Sequence, residues 1–463
     1  MLVADAACDC LVLDDKLTPL PGRTPHPEVT NVTVTPEPRS RSLFRHPDFV
    51  KLWSAATVSQ FGTQVTLLAL PIIAASTLNV TPFEFGLLGT IEFLPFILLS
   101  LPAGVWVDRF RRRPILIAGD LIRATALSSI PIAFAMNGLT IWQLYVVGFV
   151  NGCATVFFDV AYQSYLPSLV DRDQIVDGNS KLEVSRSAAQ ITGPGVAGVL
   201  IGVLTAPFAI ILDALSFVAS GLFMFAIRRH EETPEPRLNE QGERPSMRSE
   251  IADGLRYVGR HPLLRSVAAS TGTSNFFGNL MYSILILYLV RQLGVTPELL
   301  GLAFSVGAVG FLAGALLATP LAKRFGVGPT IVGAALTSGP AGLLIAIAPA
   351  DFAVPFVAAS VFLGGLGNAI YNINQVSLRQ AITPERMQGR MNATMRFIVW
   401  GTIPIGSILG GALGGLIGLH ETIWIGAIGG IFVFLPLLFS PVRRLRTIPE
   451  AEPEEASGAA IGA

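Results

Sequence analysis

The chain has 463 residues, of which 51% are hydrophobic and only 14% charged, and its 32 basic side chains balance its 32 acidic ones. A soluble domain carries roughly 25% charged residues, so charges this sparse, crowded between long apolar windows, indicate a membrane protein and exclude an ordinary soluble domain. A net charge of zero gives no reason to expect a nucleic-acid partner, and what informs is where the charges fall.

Residues 1–42 are polar and proline-rich, with Asp5, Asp9, Asp14 and Asp15 ahead of any long apolar run. A secretory signal is basic, then apolar, then small, so this stretch reads as a disordered cytosolic tail. Cys8 and Cys10 fall in it, Cys153 falls in an apolar run, and the five His are scattered. No zinc or disulfide spacing results, and no metal or cofactor is expected.

From residue 49 apolar windows recur. A helix needs about 20 apolar residues to cross a bilayer, and the windows predict twelve spans: 52–76, 85–107, 114–136, 140–165, 183–204, 207–227, 263–289, 299–322, 329–348, 352–378, 392–419 and 422–439. The expected fold is an all-α membrane protein of two six-helix halves, 43–229 and 263–440, with a linker at 230–262 and a tail at 441–463. Alternate loops hold Arg109, Arg111, Arg112 and Arg113, then Arg172 and Lys181, Lys323 and Arg324, Arg379, Arg386 and Arg390, and Arg443, Arg444 and Arg446. The opposite loops hold Arg291 and almost nothing else basic. The positive-inside rule then puts both termini in the cytoplasm of a cell whose plasma membrane the chain crosses.

In chain order, span one carries Gln60, Thr63 and Gln64 on one face. Span two carries Glu92, where a charge costs about 2.5–3.5 kcal/mol on insertion scales; that makes it the first candidate for carrying a proton. Between spans two and three, Gly104 to Pro114 packs Asp108 among Arg109, Arg111, Arg112 and Arg113. A loop that only sets topology needs no acid, so Asp108 suggests a latch. Asp120 and Arg123, three apart on span three, read as a local ion pair, and Glu183 with Arg186 likewise. Span four has Asn151, Thr155, Phe158 and Asp159 at one-face spacing, with Asp159 placed to pair with Arg109 or Arg112. Span six carries Asp213, a second proton-carrying candidate.

Arg228 to Arg248 is a Glu- and Pro-rich linker between the halves, and residues 247–260 have the apolar spacing of an interfacial helix. Span seven shows Asn275, Asn279 and Tyr282 on one face, with Thr271 above them, and span ten shows Asn368, Tyr371, Asn372 and Gln375. Each stripe is open to two readings: a polar cavity wall, or hydrogen bonding between helices. Glycines three or four apart in spans five (Gly195, Gly198, Gly202), eight (Gly307, Gly310, Gly314) and eleven (Gly406, Gly410, Gly414, Gly418) allow backbones to approach closely. The halves also repeat: Val107 to Pro114 aligns with Ala322 to Pro329, about 215 residues later, as in transporters built from parallel repeats.

The stretch Gly104 to Arg113 resembles motif A of the major facilitator superfamily, G-x-x-x-D-R/K-x-G-R/K-R/K. Gly104, Asp108, Arg109, Arg112 and Arg113 fit, and Arg111 stands where the superfamily has Gly. Gly193-Pro194-Gly195-Val196-Ala197-Gly198 is similar to the core of the antiporter motif C. Tyr165 to Val170, followed by Gly178-Asn179-Ser180, resembles the inner end of span four in the third drug:proton antiporter family, which includes macrolide and siderophore exporters. The resemblance covers residues 43–445. It implies two halves that rock about a central cavity lined by spans one, four, seven and ten. It also implies that Asp108 faces the positive end of the span-eleven dipole, and that spans five, eight and eleven form much of the contact between halves. The expected function is proton-coupled efflux of a drug-like or secondary-metabolite small molecule by a monomer in the lipid bilayer. A metabolite uniporter or importer, or a lipid-handling transporter, is the alternative. The chain has no Gly-x-x-x-x-Gly-Lys-Ser/Thr motif for ATP and no clustered acid, base or metal residues of an enzyme.

Overall fold

A computed structural model describes residues 43–107, 110–170, 174–229 and 247–447. The Asp108–Arg109 centre of the charged turn is outside these residues. Among them, twelve helices are long and apolar enough to cross a membrane, as expected. The first half contains α1 (Pro47–Ile72), α2 (Pro82–Val107), α3 (Arg112–Ala135), α4 (Ile141–Leu169), α5 (Ile175–Leu204) and α6 (Ala206–Ala226). A helix outside the spans, α7 (Met247–Arg260), precedes the second half. That half contains α8 (Pro262–Arg291), α9 (Pro297–Phe325), α10 (Val327–Ser338), α11 (Gly342–Ala346), α12 (Ala353–Ile382), α13 (Glu385–Leu416), α14 (Leu419–Ile431) and α15 (Leu435–Leu438).

Local sequence sets where these helices begin. His46 caps α1, its Nδ1 accepting from the Phe49 N–H at 3.1 Å, and Pro47 fills the first turn, where no N–H is needed. His261 and Pro262 start α8 in the same way. Thr81 and Glu84 form a reciprocal box at α2: the Glu84 carboxylate accepts from the Thr81 N–H at 2.8 Å, and Thr81 Oγ accepts from the Glu84 N–H at 3.3 Å. Thr296-Pro297 starts α9 at the equivalent position. These pairs are all 215 residues apart (261 less 46, 296 less 81), so the repeat is structural as well as sequential.

Two helices begin well ahead of their apolar windows, by seven residues or more. α5 starts at Ile175 against 183, and α13 at Glu385 against 392. The window marks the apolar slab, whereas a helix continues into water as long as its backbone bonds are made. Span nine is broken between α10 and α11 at Gly339-Pro340, because proline has no N–H to continue the ladder.

The end holding the basic loops, here the basic end, is tied together within each half. Lys51 donates to the Ala226 carbonyl at 2.7 Å, and Asp48 accepts from the backbone of Arg229 at 3.0 Å. Arg113 donates to the carbonyls of Met224 and Phe225 at 3.1 and 2.6 Å, capping the last turn of α6. In the second half, Gly326 (φ +95°) opens a turn on which the C-terminal segment docks, with the Gly328 N–H donating to Leu445 O at 2.9 Å. A Cβ at Gly328 would come within 1.8 Å of the Val442 carbonyl, so glycine stands there for close approach.

Apolar burial divides the molecule. One cluster at the far end joins both halves, taking in Leu70, Phe85 and Ile201 from the first and Leu285, Leu300 and Ile423 from the second. At the basic end each half keeps its own cluster: Phe49, Leu116, Tyr165 and Met224 in the first, Leu264, Ile331, Leu378 and Leu437 in the second. Among the described residues, apolar packing therefore joins the halves at the far end and stays within each half at the basic end.

Glycine permits this fusion. At the α5–α9 crossing a Cβ on Gly301 would be 2.3 Å from the Pro194 carbonyl and 2.9 Å from Gly198 Cα. At the α2–α13 crossing a Cβ on Gly86 would be 2.5 Å from the Ser407 carbonyl. Of the other expected glycines, Gly202 also faces the second half, against Glu298, and Gly414 lies against Pro82 of the first, whereas Gly307, Gly310 and Gly314 face α12, and Gly406 and Gly410 face α8, inside the second half. Small-residue spacing marks a close contact without saying which neighbour makes it. Hydrogen bonds reinforce the far end. The Gly195 N–H donates to Ser305 Oγ at 2.8 Å, and Thr90 Oγ donates to the Pro404 carbonyl at 3.3 Å. Arg291 reaches from α8 to the first half, donating to the Ala75 carbonyl at 2.8 and 3.0 Å and to Val80 O at 2.7 Å.

Candidate functional site

The expected polar stripes lie on α1, α4, α8 and α12. On α1, Gln60, Thr63 and Gln64 are half-buried, and Gln64 lies over Gly193, where a Cβ would come within 2.4 Å of its Cγ. On α12 an amide ladder runs along one face. Asn372 Nδ2 donates to Asn368 Oδ1 at 2.9 Å, and Gln375 Nε2 donates to Asn372 Oδ1 at 3.1 Å. Asn368 and Asn372 are exposed, as is Tyr282 of α8 at 48%. On α4, Asn151 and Thr155 are half-buried, and Thr155 donates to the Asn151 carbonyl at 2.8 Å.

Four expected wall residues serve packing instead. Phe158 is buried inside the first half, stacked on Tyr162 at 5.9 Å. Tyr371 is buried against α8, its hydroxyl 2.7 Å from Thr271 Oγ. Asn275 donates to the Val399 carbonyl of α13 at 3.0 Å, and Asn279 turns back to Asn275 O at 2.8 Å. An aromatic ring loses more water-exposed area inside a half than on a wet wall, and an amide next to a neighbouring helix finds a carbonyl there. Sequence reading missed Phe96 and Trp400, which meet edge to face across the halves at 5.6 Å. Their only signal was aromatic residues at matching depth in spans two and eleven.

The charges fall into two groups. Glu92 lies where α2 crosses α4, its side chain against Gly148, at which a Cβ would stand 3.0 Å from Glu92 Cγ. Among the described residues no ion pair is made by its carboxyl. The second group is buried in the first half. Asp120 and Arg123 form the expected pair at 2.6 Å. Asp213 accepts from Thr66 Oγ of α1 and from Ser216 Oγ at 3.0 Å. Asp159 is expected from the sequence to pair with Arg109 or Arg112; Arg109 lies outside the described residues, and among those described Asp159 is under the charges of Arg123 and Arg186. Arg113, expected in the latch, caps α6 in its own half. Glu183 and Arg186 form the expected surface pair at 3.7 Å.

The profile of the family described as transmembrane secretion effector matches residues 40–457. The chain belongs to that family of major facilitator transporters. The MFS-type transporter YfiS of Bacillus subtilis is 26% identical over 279 residues, which span 60% of this chain and 65% of YfiS, just under two thirds of that relative. The multidrug efflux pump Tap of Mycolicibacterium fortuitum is 26% identical over 406 residues, 85% of this transporter and 97% of Tap. Among solved structures, the transporter superposes on a bacterial homologue of the iron transporter ferroportin in its inward-facing state with a TM-score of 0.69, at 16% identity, over 86% of this chain and 99% of that one. This likeness is one of fold. Family and fold are those of transporters and not of enzymes.

Proposed function

We propose that the transporter exports a drug-like or secondary-metabolite small molecule from the cytoplasm in exchange for protons, by alternating access of a cleft between its halves. The observation that carries the coupling is Glu92, a half-buried carboxyl where α2 crosses α4, with no counter-ion among the described residues. Ionising such a group inside a membrane costs several kcal/mol unless water or a partner reaches it. Its proton therefore exchanges only when the cleft is wet, which ties protonation to the opening of the halves. Asp213 is the second carrier.

The basic loops support a cytoplasmic position for the open end, so the described state would take its cargo from the cytoplasm. The exposed amides of Asn368 and Asn372 and the ring of Tyr282 suit a large, mostly apolar substrate held by few polar contacts. Tap, a multidrug efflux pump in name, is consistent with that class. The Asp108 latch belongs to the opposite state, in which the basic end closes.

The test is export from inverted vesicles under an imposed pH gradient, across a panel of cationic and macrolide-like compounds. Glu92→Gln should lower gradient-driven export at least tenfold while equilibrium binding of the same compound stays within about threefold. Gradient dependence equal to that of the native chain would refute the assignment.

A further inference from the structure

The first half contains a buried charge group for which rigid packing gives no need. Asp120 is fully buried and Arg123 is 5% exposed, and their side chains meet at 2.6 Å. The guanidinium is held between two rings, 4.2 Å from the centre of Phe158 and 4.1 Å from that of Phe217, and donates to the Gly119 carbonyl at 3.3 Å. Three carboxylates act on this one cation: Asp120, Asp159 and Asp213. Asp213, 1% exposed, has hydroxyl donors but no base within salt-bridge distance among the described residues. Asp159 stands on the exposed side of α4, where Arg186, Tyr162 and Glu183 are the other ionisable groups around it. Asp120 Oδ2 is fully buried with no hydrogen bond of ordinary geometry, and the Ser220 hydroxyl is the polar group that stands beside it.

With all three acids ionised the group is two charges negative in an apolar interior, where uncompensated charge is strongly unfavourable. A carboxylate oxygen next to a hydroxyl is the place a proton would halve this imbalance, because a carboxylic acid can donate where a carboxylate cannot.

We propose that Asp120, Arg123 and Asp213 form a proton-binding site in the first half, separate from Glu92 and reached from the cleft through Asp159. A proton delivered by cleft water binds a carboxylate oxygen of Asp159 and passes to the buried pair of acids, reducing the charge of the group by one. Arg123, fixed by the two rings, stays in place and its attraction is redistributed among the acids left ionised. The group touches α1 through Thr66, α3, α4 and α6, so its charge bears on how α1 and α6 pack against the rest of the half. Its part in transport rests on the proton-coupled reading above; its binding of a proton does not.

Infrared difference spectra of the full chain in liposomes, recorded as the pH is stepped between about 5 and 9, read carboxyl protonation without any substrate. Asp213→Asn and Asp120→Asn should each remove or displace a protonated-carboxyl band, and Glu92→Gln should leave that band in place. Thr66→Val keeps the acid and removes one donor to its ionised form, so it should raise the proton affinity of the band about tenfold; this arm decides if the Asn variants do not fold. Spectra of Asp213→Asn, Asp120→Asn and Thr66→Val that all titrate as the native chain does would overturn the proposal. A band that depends on Asp213 together with export indifferent to the pH gradient would keep this site and reject the coupling.

Discussion

Arg291 is the basic residue that the positive-inside pattern leaves on the opposite side, and the fold gives it a use there. Its three hydrogen bonds to the carbonyls of Ala75 and Val80 join the halves at the far end. Charge-assisted bonds of this kind are stronger than neutral ones, but Arg291 is exposed, so together they contribute on the order of 1–2 kcal/mol. Arg291→Ala should therefore raise the population open at the far end roughly five- to thirtyfold. The rate at which a membrane-impermeant thiol reagent reaches a cysteine placed at Gln60 checks this, in a background with the three native cysteines replaced. An unchanged rate would show that the bonds do not hold the closure. Some of the residue chemistry was legible from spacing alone. Asp120 and Arg123 are three apart on one helix, and a helix forces such residues together. The approach of Asp159 and Asp213 to the same Arg123 was not legible, because it depends on how α3, α4 and α6 are placed. Phe158 and Tyr371 share the face of their polar neighbours, and spacing cannot tell whether that face meets water or the next helix.

At the scale of the helices, contact between the halves depends on places where side chains are missing. Gly198 and Gly301 let α5 and α9 cross backbone to backbone, and Gly86 and Gly411 do the same for α2 and α13. A methyl group at Gly301 would meet the Pro194 carbonyl and Gly198 Cα, backbone atoms that no rotamer change can move aside. Gly301→Ala should shift the chain toward the state open at the far end. Spin labels at Asn137 and Asp351, exposed in far-end loops of the two halves, would report a longer distance distribution; a distribution identical to that of the native chain would count against the crossing as a gate. The number and order of the spanning helices could be read from apolar windows, since lipid requires every spanning backbone to be helical. The motif-C-like run was also visible, and its Gly198 does face the other half. That Gly307, Gly310 and Gly314 face α12 was not visible, because three helices compete for the same stripe of small residues.

For the whole molecule, the repeat at 215 residues fixes two similar halves, and the differences between them are informative. The first half has a charged turn between α2 and α3. Its counterpart between α9 and α10 carries Gly326 and Gly328 and is occupied by the chain's own C-terminal segment. The single apolar cluster at the far end and the separate pair at the basic end follow from no local pattern in the sequence. On the proposed alternating-access reading they belong to one state among several, and a sequence encodes all of those states together. This division also says how the protein holds together as an assembly. The peptide chain between residues 229 and 247 need not be what keeps the halves partnered, since the far-end cluster, the two glycine crossings and Arg291 already join them. If a protease site is inserted at residue 238 and cut after folding, the two fragments should still elute as one species in mild detergent and retain export, whereas fragments that separate would make the covalent link part of the architecture.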